Sequence, residues 1–355
     1  MTKQHVRFNY FVPELNYENG NNFRWNMKDF LEFLLNHKGK IESSVILGDE
    51  VADFEWEDQQ LDQQRNLYWF RISKNRYNNI PSLKHLNKPG KPIELDKDEF
   101  VGEFSIFVFD PESGVLVVQS NFYGLTTKQS ELALTELRQR YKESIGEGEN
   151  EVGVVSLKPI PDESAYHRAL QNQIIRRINI KASDVSLLND EHMSAEVMHK
   201  AVDAAGEIGG ISFDLTVSMS RTPRARSLEK DQVTQVIEDI KYLAKQGKDV
   251  SMQIASKEDE HHAIETIDLL SPRLKSSMTI EFPNRETPGA EFIYNNFVEQ
   301  NFDLPQDNLD KNSKNKGFRQ RAARAIPNQI ISEEVILNVE NFELKKVYFK
   351  SARGF

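Results

Sequence analysis

The run FSIFVFDPESGVLVVQ, Phe104 to Gln119, decides the class of the fold. Two arms rich in aromatic and β-branched residues flank Asp110-Pro111-Glu112-Ser113-Gly114. Proline presets φ inside such a turn and glycine takes positive φ without steric cost, so arms and turn together predict a β-hairpin. Directly downstream, Thr126 stands three residues before Gln129, the spacing of a capping box, and Leu134, Leu137 and Tyr141 recur at helical spacing. A helix lying on the hairpin's sheet makes the expected class α+β.

Upstream, Phe8 to Val12 reads as a strand, and Met27, Phe30, Leu31, Leu34 and Leu35 form one apolar helical stripe. Ile41 to Leu47 and Leu67 to Ile72 are β-rich. The polar, Gly-containing stretch ESIGEGEN, Glu143 to Asn150, has the composition of a linker. The expected division is therefore an N-terminal α+β domain over 1–143, a linker over 144–152, an αβ domain over 153–302, and a basic arm and tail over 303–355.

In the second part the periods alternate. Ile174 to Ile180, Ile211 to Val217, Val250 to Ala255 and Met278 to Phe282 read as strands. Ala195 to Ala205, Val233 to Leu243, Ala263 to Leu274 and Phe292 to Val298 read as helices, the second of them stopped by Gly247. Such alternation predicts a sheet covered by helices, with a ferredoxin-like or other mixed sheet competing with a parallel one.

The 355 residues are enough for about two cores. Cysteine is absent, which removes disulfides, thiolate nucleophiles and thiolate metal sites and fits a reducing compartment. Met1 to Phe11 lacks the basic and apolar segments of a signal peptide, and no stretch approaches the ~20 apolar residues of a membrane span, so the expected location is the cytoplasm.

Net charge is −10, which on average repels nucleic acid, but the charge is uneven. Residues 311–355 hold 10 Lys and Arg against 4 Asp and Glu. Within them Lys311, Lys314, Lys316, Arg319, Arg321 and Arg324 follow one another without an intervening acid. Such a run neutralises phosphates and releases counterions, with little sequence information; a solvated arm lying on the protein's own acidic surface accounts for it equally well. Arg221, Arg224 and Arg226 in SRTPRARS form a second basic point before a helix start, where guanidinium forks suit phosphate oxygens, and an ordinary polar loop is the competing account. Lys345, Lys346, Lys350 and Arg353 add weaker support.

Other chemistry finds less. Glu258 to His262 offers metal-ligand types, but neighbours on a helix point about 100° apart and rarely converge on one ion. Asp53, Glu55, Glu57 and Asp58 read as a surface acidic stretch around Phe54 and Trp56. No Walker A run, Gly-x-Gly-x-x-Gly fingerprint or nucleophile elbow is present, and the hairpin does not supply the Asp and Glu-x-Lys of a metal-dependent nuclease. No catalytic residue, metal or cofactor is assigned.

The segments Phe30-Leu31-Glu32-Phe33-Leu34-Leu35 and FVFDPESGVLVVQSNFYGLTTKQSELAL resemble RexA-type phage-exclusion proteins and the DNA-binding subunit of the Kiwa antiphage system, over about the first 140 residues. The resemblance implies a DNA-binding dimer that senses or acts on foreign DNA, often beside a membrane protein or a second defence subunit. The resulting expectation is a homo-oligomer holding double-stranded DNA by its backbone through Arg221 to Arg226 and Lys311 to Arg324. A metal-dependent nuclease and a protein-only regulator of a neighbouring subunit are the alternatives.

Overall fold

The computed structural model describes residues 1–302 apart from 77, 79, 97–98, 149–152, 163–164, 189–193, 208–211, 220–226, 258–263, 271 and 285. By its internal contacts the chain divides into two compact units, 1–160 with 274 onward, and 161–273.

The first unit runs β1 (Thr2–Asn16), β2 (Asn22–Arg24), α1 (Lys28–Asn36), β3 (Ser44–Leu47), β4 (Glu50–Phe54), β5 (Gln60–Asp62), β6 (Leu67–Arg76), β7 (Val101–Asp110), β8 (Val115–Ser120), α2 (Thr127–Ser144) and β9 (Val154–Pro159). The second unit holds α3 (Ala165–Gln171), β10 (Ile174–Ala182), α4 (Glu196–Glu207), β11 (Phe213–Ser218), α5 (Lys230–Lys245), β12 (Val250–Lys257) and β13 (Glu265–Asp268). The chain then returns to the first unit as β14 (Lys275–Phe282) and α6 (Ala290–Asn301).

The first unit is built on a ten-stranded antiparallel sheet in the order β14-β1-β8-β7-β6-β4-β3, with β2 and β9 paired to β1 and β5 to β6. The β7–β8 hairpin forms as its sequence requires. Gly114 takes φ 64° and donates its N–H to the Asp110 carbonyl at 2.8 Å, and the Asp110 carboxylate accepts the Ser113 hydroxyl at 2.8 Å.

Both faces of the central strands are covered. On one face Tyr68, Phe70 and Ile72 of β6 and Phe107 and Phe109 of β7 join Phe30, Leu31 and Leu34 of α1 and Leu134 and Leu137 of α2. On the other, Leu67, Trp69, Ile106 and Val108 join Ile293, Tyr294, Phe297 and Val298 of α6. Double coverage explains why these strands read as unbroken apolar runs instead of alternating ones, since each buried Phe or Leu contributes roughly 1.5–3 kcal/mol. The rings interlock accordingly, with Phe70 on Phe107 at 5.1 Å and Trp69 on Tyr294 at 5.1 Å.

The capping box at α2 is complete: Thr126 Oγ1 accepts the Gln129 N–H at 3.2 Å, and Gln129 Oε1 accepts the Thr126 N–H at 3.1 Å.

The second unit is a four-stranded antiparallel sheet, β11-β10-β12-β13, so the alternation of periods reports helix coverage and not parallel strands. Ile178 and Ile180 of β10 and Met252 and Ile254 of β12 face Met198 of α4 and Val236, Ile237 and Ile240 of α5. The opposite positions Arg177, Asn179, Lys181, Asp214 and Thr216 are polar, as on a solvated sheet face.

Two expectations change. The segment 144–152 is not where the units divide: Val154–Pro159 pairs with β1, and the crossings fall at 160/161 and 273/274. Composition marked the end of α2, but the long strand β1 recruits the next segment, and also β14 from much later in the chain, into its own sheet. Within the stretch expected as a helix from Ala263 to Leu274, Glu265–Asp268 is instead an edge strand on β12. Ile264, Ile267 and Leu270 mimic helical spacing, whereas the buried residues are Ile267 and Leu269, a period of two.

Candidate functional site

The nine cations expected to hold DNA, Arg221, Arg224, Arg226, Lys311, Lys314, Lys316, Arg319, Arg321 and Arg324, lie outside the described residues, as do Lys345, Lys346, Lys350, Arg353 and the segment Glu258 to His262. The candidate surface lies in the first unit.

The fold absorbs several of its cations. Arg138, on α2, is 1% exposed and stands over the Trp25 ring at 5.7 Å, and burial holds its guanidinium below the usual arginine value. Arg71 pairs with Glu55 and with Asp58, the latter at 2.8 Å, and lies over Phe104 at 4.8 Å. The acidic stretch of β4 and its following turn is thereby accounted for: Asp53 accepts from Ser43 at 2.7 Å, and Glu57 pairs with Lys38 at 3.7 Å. Burial, then Glu291 and Glu57, pushes the Asp58 carboxyl above its usual range. Among the described residues no group of three or more His, Asp or Glu could hold a metal ion.

Other cations are left outside. Between β6 and β7 the chain makes a long excursion in which every residue from 81 to 94 is exposed. Leu83 and Lys91 exchange both backbone hydrogen bonds at 2.8 Å, closing a small hairpin. At its tip Lys88 donates its N–H to the His85 carbonyl at 3.2 Å, and Asn87 adopts φ 61°, a conformation that asparagine tolerates better than most residues. The run SLKHLNKPGKP, 82–92, thus presents Lys84, His85, Lys88 and Lys91 with no acid among them. Leu86, 94% exposed, projects between these cations. Lys84, Lys88 and Lys91 form no ion pair with any described residue.

The same end of the sheet carries an aromatic pair. After β8 the loop Asn121 to Gly124 is tied down: Asn121 Nδ2 donates to the Phe104 carbonyl at 2.9 Å, and Asn121 Oδ1 accepts the Tyr123 N–H at 3.1 Å. Gly124 lies so close to β7 that a Cβ there would sit 2.7 Å from Ser105 Oγ, and Leu125 is buried. On this fixed loop Phe122 is 91% and Tyr123 59% exposed, their rings edge to face at 5.0 Å. Arg76, the last residue of β6, stands 6.0 Å from the Tyr123 ring centroid, and Arg7 faces Ser120 across the ladder.

In the sequence this surface is outweighed by the longer basic runs at 221–226 and 311–324. The signal was present: three lysines and a histidine without an acid around Pro89-Gly90, and Phe122-Tyr123 outside any apolar periodicity. Among the described residues no helix is long and apolar enough to cross a membrane.

A model described as a family of unknown function, DUF6731, matches residues 1–312. The match takes in the hairpin, the aromatic loop and Arg221 to Arg226, and ends before Lys314. No curated protein matches the chain.

Proposed function

We propose that this chain, which belongs to the DUF6731 family of unknown function, is a DNA-binding protein that holds the phosphate backbone largely without reading sequence. The observation that carries the reading is the 82–92 hairpin: three lysines that pair with no described residue, and a histidine, project from a chain whose net charge is −10. A basic projection on an acidic body orients a polyanion, because the body repels what the projection attracts. Each lysine placed on a phosphate releases condensed counterions, the main source of sequence-independent affinity.

In this reading Arg221, Arg224 and Arg226 and the run Lys311 to Arg324 supply further phosphate contacts. A dimer is part of it, since a few cations bind weakly at physiological salt and two linked surfaces gain avidity. Double-stranded DNA is the proposed ligand and defence against phage the proposed setting; both are what the sequence resemblance of about the first 140 residues to RexA-type proteins implies.

Mobility shifts on a mixed-sequence duplex, comparing the intact protein with Lys84→Ala/Lys88→Ala/Lys91→Ala, test the hairpin's part. Weaker binding by the variant, at unchanged thermal stability, is expected. Equal affinity removes the hairpin from the interface, and absence of binding by the intact protein at low salt refutes the reading.

A further inference from the structure

The aromatic loop at the same end of the sheet has chemistry that a phosphate clamp does not need. Phosphates are met by cations and backbone N–H groups, and nothing in a duplex backbone stacks on a phenyl ring. Phe122 nevertheless stands 91% exposed beside Tyr123, on a loop fixed from both sides by Asn121 and by buried Leu125. The rings meet edge to face at 5.0 Å, which leaves ring faces open to a further planar group.

Arg76 holds its guanidinium over the Tyr123 ring, 6.0 Å from the centroid, so a base stacked on Phe122 or on the other face of Tyr123 lies beside a cation able to take its phosphate. Arg7, across the ladder from Ser120, is an exposed cation at the loop's root, where Arg76 is half-buried. Two aromatic faces with arginines beside them form the combination by which proteins hold unpaired bases: ring on base, cation on the connecting phosphate.

We infer that Phe122 and Tyr123 stack on unpaired bases, so that the protein binds DNA carrying a single-stranded extension more tightly than the same duplex fully paired. The inference rests on the DNA-binding reading above and narrows its ligand to duplex with exposed single strand.

Competition binding with a labelled blunt duplex, and with the same duplex extended by ten unpaired nucleotides, tests it in the full-length chain. The intact protein should prefer the extended duplex by at least about fivefold, the value of one stacked base. Phe122→Ala/Tyr123→Ala should abolish the preference and leave blunt-duplex affinity unchanged. Lys84→Ala/Lys88→Ala/Lys91→Ala should weaken both ligands alike and keep the preference. If the intact protein binds both duplexes equally, or if the aromatic variant keeps the preference, the stacking inference falls while DNA binding stands. If the intact protein binds neither, both fall. Phe122→Trp, which keeps a stacking face, should restore the preference when paired with wild-type Tyr123; failure to do so overturns the role of stacking.

Discussion

Single residues show how the first unit closes its second face. Tyr294 of α6 stacks on Trp69 and donates its hydroxyl to Asp62 Oδ2 at 2.8 Å, and Arg65 reaches the same oxygen at 2.8 Å. Burial alone would raise the Asp62 carboxyl, but the hydrogen bonds from Arg65 and Tyr294 and the charge of Arg65 bring it below its ordinary value of 3.8. An acid whose folded pKa is depressed adds stability above the unfolded value and loses it as pH falls through the folded one. Asp62→Asn should therefore destabilise the protein at pH 7, with the difference from wild type shrinking below pH 3.8. Urea midpoints across a pH series measure this, and a pH-independent difference would contradict it. At this scale the sequence was most readable where the physics is local. Gly114 and the pair Thr126 and Gln129 act within a few residues, so turn and cap followed from spacing alone. The bond from Tyr294 to Asp62 spans most of the chain and leaves no local mark.

Elements were legible as elements, their partners were not. β7, β8, α1, α2 and α5 follow their apolar patterns, whereas β14 reads correctly as a strand yet pairs with β1 at the other end of the chain. The helical reading of 263–274 failed because a short apolar run fits both periods and the edge of β12 decides between them. The edge strand β3 shows how pairing is also limited. Its Ile46 is 78% exposed, and Arg140 of α2 donates to the carbonyls of Glu42 at 2.8 Å and Ser44 at 2.7 Å, occupying acceptors beside a strand that would otherwise invite another chain. Arg140→Ala should cost about 1–2 kcal/mol in chemical denaturation, the expense of two charge-assisted bonds, and give association that grows with concentration in sedimentation. A monodisperse variant of unchanged stability would show that the edge needs no guard.

At the scale of the whole molecule, the second unit is an insertion in the first. Leu274 donates its N–H to the Ile160 carbonyl at 2.8 Å, so the first unit's chain nearly closes without residues 161–273. Replacing them with an Asn-Gly turn should leave a cooperatively folding protein, because a two-residue connection suits paired antiparallel backbones. A molten or insoluble product would show that the units depend on each other. Composition could not reveal this arrangement, since an insertion alters connectivity and not residue content.

The net acidity of the chain also hid where its exposed cations stand. Arg71 and Arg138 are taken up by the fold, while Lys84, Lys88 and Lys91 project from it. The most direct test of DNA binding is the salt dependence of duplex affinity for the intact protein and for Lys84→Ala/Lys88→Ala/Lys91→Ala. The account requires log K to fall linearly with log salt, and the variant's slope to be shallower by about 0.9 for each lysine seated on a phosphate. Identical slopes would remove the hairpin from the interface, and no measurable affinity at the lowest salt would contradict DNA binding altogether.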